Sequence, residues 1–156
     1  MDTFTVSFFG HRVVEYPLQI EHRLESIICK LLYEKAYVEF LVGRDGEFDQ
    51  LVSSVIRRCK RDLRDDNSSH VWVLPYLTAE YRNNEISFQE YYDEIRICEA
   101  AAGNHYKGAF RRRNRDMVDH SHLVVFCIQH ENGGAWQTMK YARSHGVPFI
   151  NIAEDN

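Results

Sequence analysis

Apolar and polar positions along the 156-residue chain switch repeatedly between a two-residue and a 3.6-residue period. Residues Thr3–Phe9 (TFTVSFF) are β-branched and aromatic and stop at Gly10, which predicts a strand ended by a turn residue. Pro17 suits a first helical turn. Ile20, Leu24, Ile27, Ile28, Leu31 and Leu32 then recur at helical spacing and predict an amphipathic helix to about Lys35. Tyr37–Val42 (YVEFLV) predicts a second strand, stopped by Gly43. Phe48, Leu51, Val52, Val55, Ile56, Cys59 and Leu63 mark a second helix, whose outer face carries Arg57, Arg58, Lys60, Arg61 and Arg64. Beyond the polar loop 65–69, His70–Leu74 (HVWVL) predicts a third strand, stopped by Pro75.

From Tyr76 to Gly108 the pattern is hardest to read. Ser87-Phe88-Gln89-Glu90 fits a capping box and predicts a helix covering Tyr91–Ala102, with Gly103-Asn104 as its stop. Ala109–His120 reads as a short, Arg-rich helix. His122–Ile128 (HLVVFCI) is almost wholly apolar and suits a central strand buried on both faces. Gly133-Gly134 opens a helix over Ala135–His145, with Gly146 just past its end, and Val147–Ile152 predicts a fifth strand. Strands that alternate with helices imply βαβ crossovers. The expected fold class is therefore α/β: a three-layer sandwich with a mostly parallel sheet of at least five strands, in one domain over residues 1–156.

Composition narrows the function classes. With 44% apolar and 27% charged residues the chain is neither disordered nor low in complexity. The net charge of −4 counts against a long nucleic acid as partner. Cys29, Cys59, Cys98 and Cys127 form no C-x-x-C pair and sit in apolar or periodic stretches, which predicts buried free thiols and a cytoplasmic location. The first residues lack the pattern of a conventional signal peptide. No stretch approaches the ~18 consecutive apolar residues of a membrane span.

The chemistry concentrates at the strand ends. The first strand runs into Gly10-His11-Arg12, the second into Gly43-Arg44-Asp45-Gly46-Glu47, and the fourth leads to Gly133-Gly134. In a parallel sheet these all fall on the carboxyl edge, where open α/β sheets bind ligands. Glycine there admits close backbone approach, and a helix start offers free N–H groups to an anion. Two glycine-to-helix junctions, at Gly43/Gly46 and Gly133/Gly134, are expected to serve this way. No G-x-G-x-x-G follows the first strand and no G-K-[ST] follows any glycine cluster, which argues against dinucleotide dehydrogenases and P-loop kinases.

The motifs FFGHR (Phe8–Arg12), FLVGRDGEFD (Phe40–Asp49), RNRDMVDHSHLVVFCI (Arg113–Ile128) and GGAWQTMKYA (Gly133–Ala142) together resemble the SLOG superfamily. The match is nearest to its YpsA-like members and more distant from its DprA and LOG members. The resemblance covers the chain almost end to end. It implies a Rossmann-like fold that binds a nucleotide or nucleotide-derived molecule. One departure bears on activity. The LOG branch has a P-G-G-x-G-T-x-E-E loop that contributes a glutamate to N-glycoside cleavage. Here Trp136 replaces the third glycine, and Met139 and Lys140 stand at the glutamate positions.

The candidate ligand-binding residues are Gly10, His11, Arg12, Gly43, Gly46, Glu47, Arg113, Arg115, Gly133, Gly134, Ala135, Trp136 and Gln137. Backbone N–H groups at Gly133 and Gly134, with Arg113 or Arg115, would take a phosphate. Glu47 would hold the sugar, and is the only catalytic candidate if the protein is an enzyme. Trp136 and Gln137 would frame a base or serve as packing. Tyr76, Tyr81, Tyr91 and Tyr92 would stack on a purine or, at helical spacing, belong to the core. His120, His122 and His130 complete no zinc spacing, so no metal is expected. The leading expectation is a small nucleotide-like ligand held by a sensor, carrier or sequestering module with no certain cofactor. The alternatives are a nucleotide or N-glycoside hydrolase using Glu47, and a protein-interaction or homo-oligomeric regulator, for example of cell division.

Overall fold

The computed structural model describes residues 2–103 and 106–154. Its strands are β1 (Thr3–Gly10), β2 (Tyr37–Val42), β3 (Ser68–Leu74), β4 (Glu94–Ile97), β5 (Leu123–Cys127) and β6 (Phe149–Asn151). Between them lie helices α1 (Pro17–Glu34), α2 (Glu47–Asp62), α3 (Ala79–Arg82), α4 (Glu85–Tyr91), α5 (Tyr106–Asp119) and α6 (Gly133–Ser144). The strands form one sheet in the order β4-β3-β2-β1-β5-β6, with every pairing parallel. This is the Rossmann-like three-layer architecture expected. Strand order reverses between β1 and β5, so the crevice of the fold opens beyond their carboxyl ends.

Each face of the sheet has its own core, because strands buried on both sides send alternate side chains to opposite layers. Val6, Phe8, Val38, Phe40 and Val42 pack with Leu24, Ile28, Val52 and Ile56 of α1 and α2. Phe9, Leu41, Val71, Val73, Val124 and Phe126 pack with Met117, Val118, Met139 and Ala142 of α5 and α6. The wholly apolar β5 is buried from Val124 to Cys127, as its composition requires. No helix among the described residues is long and apolar enough to cross a membrane.

The middle of the chain departs from expectation. No helix covers Tyr91–Ala102. The supposed capping box falls inside α4, which ends at Tyr91, and Tyr92 turns to extended backbone. Asp93 then docks on β3: its N–H donates to the His70 carbonyl at 2.9 Å, and its Oδ2 accepts from the His70 N–H at 2.8 Å and from Lys60 at 2.6 Å. Residues Glu94–Ile97 continue as a sixth strand on β3. A sheet edge with unpaired backbone groups outweighed local helix propensity. Gly103 has a positive φ of 80°, and Asn104, the other half of the predicted stop, lies outside the described residues. The tyrosines of this region are largely core. Tyr81 and Tyr92 are buried and pack with Phe88 around Trp72.

The charge clusters also resolve. On α2, Arg58 pairs with Glu21 and Glu25, Lys60 with Asp93, and Arg61 with Asp62, while Arg57 lies over the Tyr91 ring. That basic face is locally compensated. Cys59, Cys98 and Cys127 are buried free thiols and Cys29 is half-buried.

Candidate functional site

A cleft of about 840 Å³ lies beyond the carboxyl ends of β1 and β5, at the switch point of the sheet. Its lining includes Gly10, His11, Arg12, Gly43, Gly46, Arg113, Gly133, Gly134 and Ala135, nine of the thirteen candidates. They converge from four separate stretches of sequence because parallel strands present all their carboxyl ends on one edge.

The other four candidates lie outside that lining. Glu47 is the first residue of α2, and its Oε2 accepts from the Val14 N–H at 2.8 Å. Its own N–H donates to the Arg12 carbonyl at 2.9 Å. Glu47 thus fastens the β1–α1 loop that walls the cleft. A Glu47→Ala variant should lose about 1–2 kcal/mol by urea denaturation, the scale of a charge-assisted hydrogen bond. Arg115 is exposed and lies over the Tyr141 ring. Trp136 packs on the α5–α6 side of the core under Lys140. Gln137 is exposed on α6.

The two glycine-to-helix junctions differ. At α2 the first N–H groups are engaged, Glu47 with the Arg12 carbonyl and Phe48 with the His11 carbonyl. At α6 no side chain of the described residues caps the helix, whose first residues Gly133, Gly134 and Ala135 line the cleft. A helix start of this kind carries about half a positive charge and free donors. Of these two junctions, α6 is the one that offers its start to an anion.

Beside it, two loops are tied together over the cleft. The His130 N–H donates to Nε2 of His11 at 3.2 Å, and Gln129 exchanges hydrogen bonds with the backbone of Glu15. Burial, and then the neighbouring His130, hold His11 below the usual histidine range. That fits the acceptor role of its Nε2.

At the β2 end the cleft contains residues the sequence reading missed: Asp45, Asp49, Phe110 and Asn114. Arg113 is only 3% exposed. Its Nη2 donates to Asp45 Oδ2 at 2.7 Å and Asn114 Oδ1 at 2.8 Å, and its Nη1 to the Val73 carbonyl at 3.2 Å. Asp49 is 9% exposed, and its Oδ2 accepts from the Asp45 N–H at 2.9 Å. Burial, and then the charge of Asp45, push the Asp49 carboxyl up to about 7. A buried acid with a shifted pKa in a cleft is a mark of functional sites. A signal for both residues was present in the sequence. Asp49 shares the buried stripe of Val52, Ser53 and Ile56, and Arg113 shares that of Ala109 and Met117.

No family model matches the sequence, and no curated protein does. Solved structures do share the fold. DNA processing protein A (DprA) from Streptococcus pneumoniae aligns with a TM-score of 0.66 at 16% identity, over 94% of this chain and 49% of its own. DNA processing protein A from Helicobacter pylori, described by its single-stranded DNA binding mode, aligns with a TM-score of 0.65 at 15% identity, over 94% of this chain and 63% of its own. The chain thus spans about half of the length of the first neighbour and just under two thirds of the second. The likeness establishes the Rossmann-like fold. It also overturns one expectation: net acidity does not count against a long nucleic acid here, because a protein of this fold is described by its binding of single-stranded DNA. Net charge is a whole-chain average, and in this chain much of the basic charge is locally paired while the cleft has its own electrostatics.

Proposed function

We propose that the cleft binds a nucleotide through its phosphate, and that the protein senses, carries or sequesters that ligand. The observation that carries this reading is the uncapped start of α6, facing a switch-point cleft that also holds Arg12 and His11. Backbone donors and the helix dipole suit a phosphate. The cleft volume falls in the range of small-molecule sites, roughly 300–1,000 Å³. The motif resemblance to YpsA-like SLOG proteins supports the same reading. A hydrolase that uses Glu47 has less support, since that carboxylate holds the Val14 N–H outside the cleft lining.

A second reading, a single strand of nucleic acid laid along the same edge, is favoured by the described binding mode of the Helicobacter pylori neighbour. Arg111, Arg112 and Arg115 are exposed on α5, the helix that sends Arg113 into the cleft.

Thermal denaturation against nucleoside mono-, di- and triphosphates, NAD, ADP-ribose, cyclic nucleotides and a single-stranded DNA oligonucleotide tests both. A ligand at ~100 times its Kd adds about 2.7 kcal/mol, a Tm rise of roughly 5–10 °C. A Gly134→Asp variant separates binding from folding. A Cβ at Gly134 meets nothing within 4 Å, and an acid in the first turn suits the helix dipole. The variant should keep the Tm of the free protein and lose the ligand-induced rise. A panel without any shift, or an undiminished shift in Gly134→Asp, overturns the phosphate site.

A further inference from the structure

The two carboxylates at the β2 end of the cleft are each half used by the protein. Asp49 Oδ2 is held by the Asp45 N–H, and Asp45 Oδ2 by Arg113. The second oxygen of each, Oδ1, takes no hydrogen bond among the described residues. The groups converge on one patch of wall, the buried Gly43. A Cβ there would stand 3.0 Å from Asp49 Oδ2, 3.1 Å from Asp45 Oδ2 and 3.3 Å from Arg113 Nη2. The absence of a side chain on Gly43 leaves this corner to the acids and to whatever occupies the cleft.

These two acids accept hydrogen bonds from hydroxyls and, where ionised, repel phosphate. Arg113 does not reverse this, because its donors are engaged by Asp45, Asn114 and Val73. The cleft is thus polarised, with anion donors at the start of α6 and hydroxyl acceptors at the end of β2. The nine-tenths-buried Asp49 is held in place through Oδ2 by the Asp45 N–H and lines the cleft, which leaves Oδ1 open to a donor from the cleft. A ligand hydroxyl can supply that donor.

We propose that Asp45 and Asp49 form a subsite for the vicinal hydroxyls of a ribose, so that the cleft selects ribonucleotides over their 2′-deoxy counterparts. This rests on the nucleotide reading above and deepens it. The role assigned to Glu47 from sequence passes to two acids on the cleft side of the same loop and helix. Sites built to hydrogen-bond a substrate hydroxyl discriminate strongly against the analogue that lacks it.

Isothermal titration of the full chain with AMP, GMP, CMP, UMP and ADP-ribose, and with the 2′-deoxy and 3′-deoxy forms of each monophosphate that binds, tests the proposal. The expected result is at least a tenfold weaker Kd for the deoxy forms. In Asp45→Asn and Asp49→Asn, which keep the shape of each side chain, the ribo-to-deoxy ratio should fall at least threefold, with deoxy affinity little changed. Equal affinity of the unmodified chain for ribo and deoxy forms overturns the ribose subsite and leaves the phosphate reading standing. This comparison needs no variant to fold. An unchanged ratio in both folded variants overturns the assignment to these two acids. Heat from none of the probes, together with a flat thermal panel, removes the nucleotide reading itself.

Discussion

An Asp49→Asn variant should be more stable than the unmodified protein by about 1–3 kcal/mol at pH 8, and no more stable at pH 4. Asp49 is buried, and its pKa rises from 3.8 to about 7 on folding, chiefly through burial and then through Asp45. The folded state therefore binds a proton that the unfolded chain releases between those values. Stability tied to this group is fully present below pH 3.8 and is lost as pH rises towards 7. Each pKa unit corresponds to about 1.4 kcal/mol, and loss of the attraction to Arg113 reduces the gain in the variant. Asn retains an oxygen for the Asp45 N–H and removes the charge. A group held against stability in a cleft fits a binding role, since active sites commonly trade stability for function.

The same experiment exposes a second buried group with the opposite slope. His70 is 1% exposed, its Nε2 lies 2.9 Å from Ser53 Oγ, and its Nδ1 has no hydrogen-bond partner among the described residues. Burial holds its pKa at about 3 against the usual 6.5. Stability from His70 is present above pH 6.5 and is lost as pH falls towards 3. Between about pH 4 and 6.5 the two groups cancel, so the unmodified protein should show a shallow profile there. The Asp49→Asn profile should rise with pH over the same window, by up to about 1.4 kcal/mol per unit. Urea denaturation at pH 4.5, 5.5, 6.5 and 8 reads both effects. A stability difference that is constant across that series would show that Asp49 titrates like an exposed acid, and the account of its burial would fail.

How far this site was legible follows from helix geometry. The sequence pattern identified the edge at which the cleft lies, because strand ends with glycine are punctuated in one dimension as in three. Within that edge it took Glu47, beside Gly46 at the start of the helix, and left Asp49 out. On an α-helix two residues differ by about 200°, so Glu47 and Asp49 face opposite ways. One turned to the β1–α1 loop and the other to the cleft. Arg113 and Arg115 divide in the same way, one buried beside Asp45 and the other exposed over Tyr141. The hydrophobic stripes of α2 and α5 carried that information, as Asp49 and Arg113 occupy core positions where a charge is conspicuous. The region around β4 was not legible for a different reason. A strand of four residues at an edge exists because β3 offers it hydrogen bonds and Asp93 anchors its start. The alternation Glu94-Ile95-Arg96-Ile97 is compatible with that outcome but is too short to announce it.

Gly10→Ala and Gly46→Ala should each lower stability by at least about 3 kcal/mol, a Tm drop of roughly 6–12 °C, while Gly134→Ala changes it by less than about 1 kcal/mol. A Cβ on Gly10 would lie 2.3 Å from Cγ and 2.7 Å from Cβ of Phe48. Phe48 is 1% exposed in the first turn of α2, so its Cβ cannot move unless the helix moves. A Cβ on Gly46 would lie 2.5 Å from the Cα of Arg12, which is backbone and has no rotamer to change. Relief in either case requires α2 to withdraw from the β1–α1 loop. That would break the bonds from the Glu47 and Phe48 N–H groups to the Arg12 and His11 carbonyls, and the bond of Glu47 to the Val14 N–H. The same withdrawal would carry Asp49 away from Arg113 and open the cleft on its acidic side. These two glycines therefore set the distance between the walls of the site. Gly134, with open space at its Cβ position, is free to face a ligand. Thermal melts of the three alanine variants distinguish the roles. A mild effect at Gly10 and Gly46, equal to that at Gly134, would mean that the close approach of α2 to the loop is not what shapes the cleft.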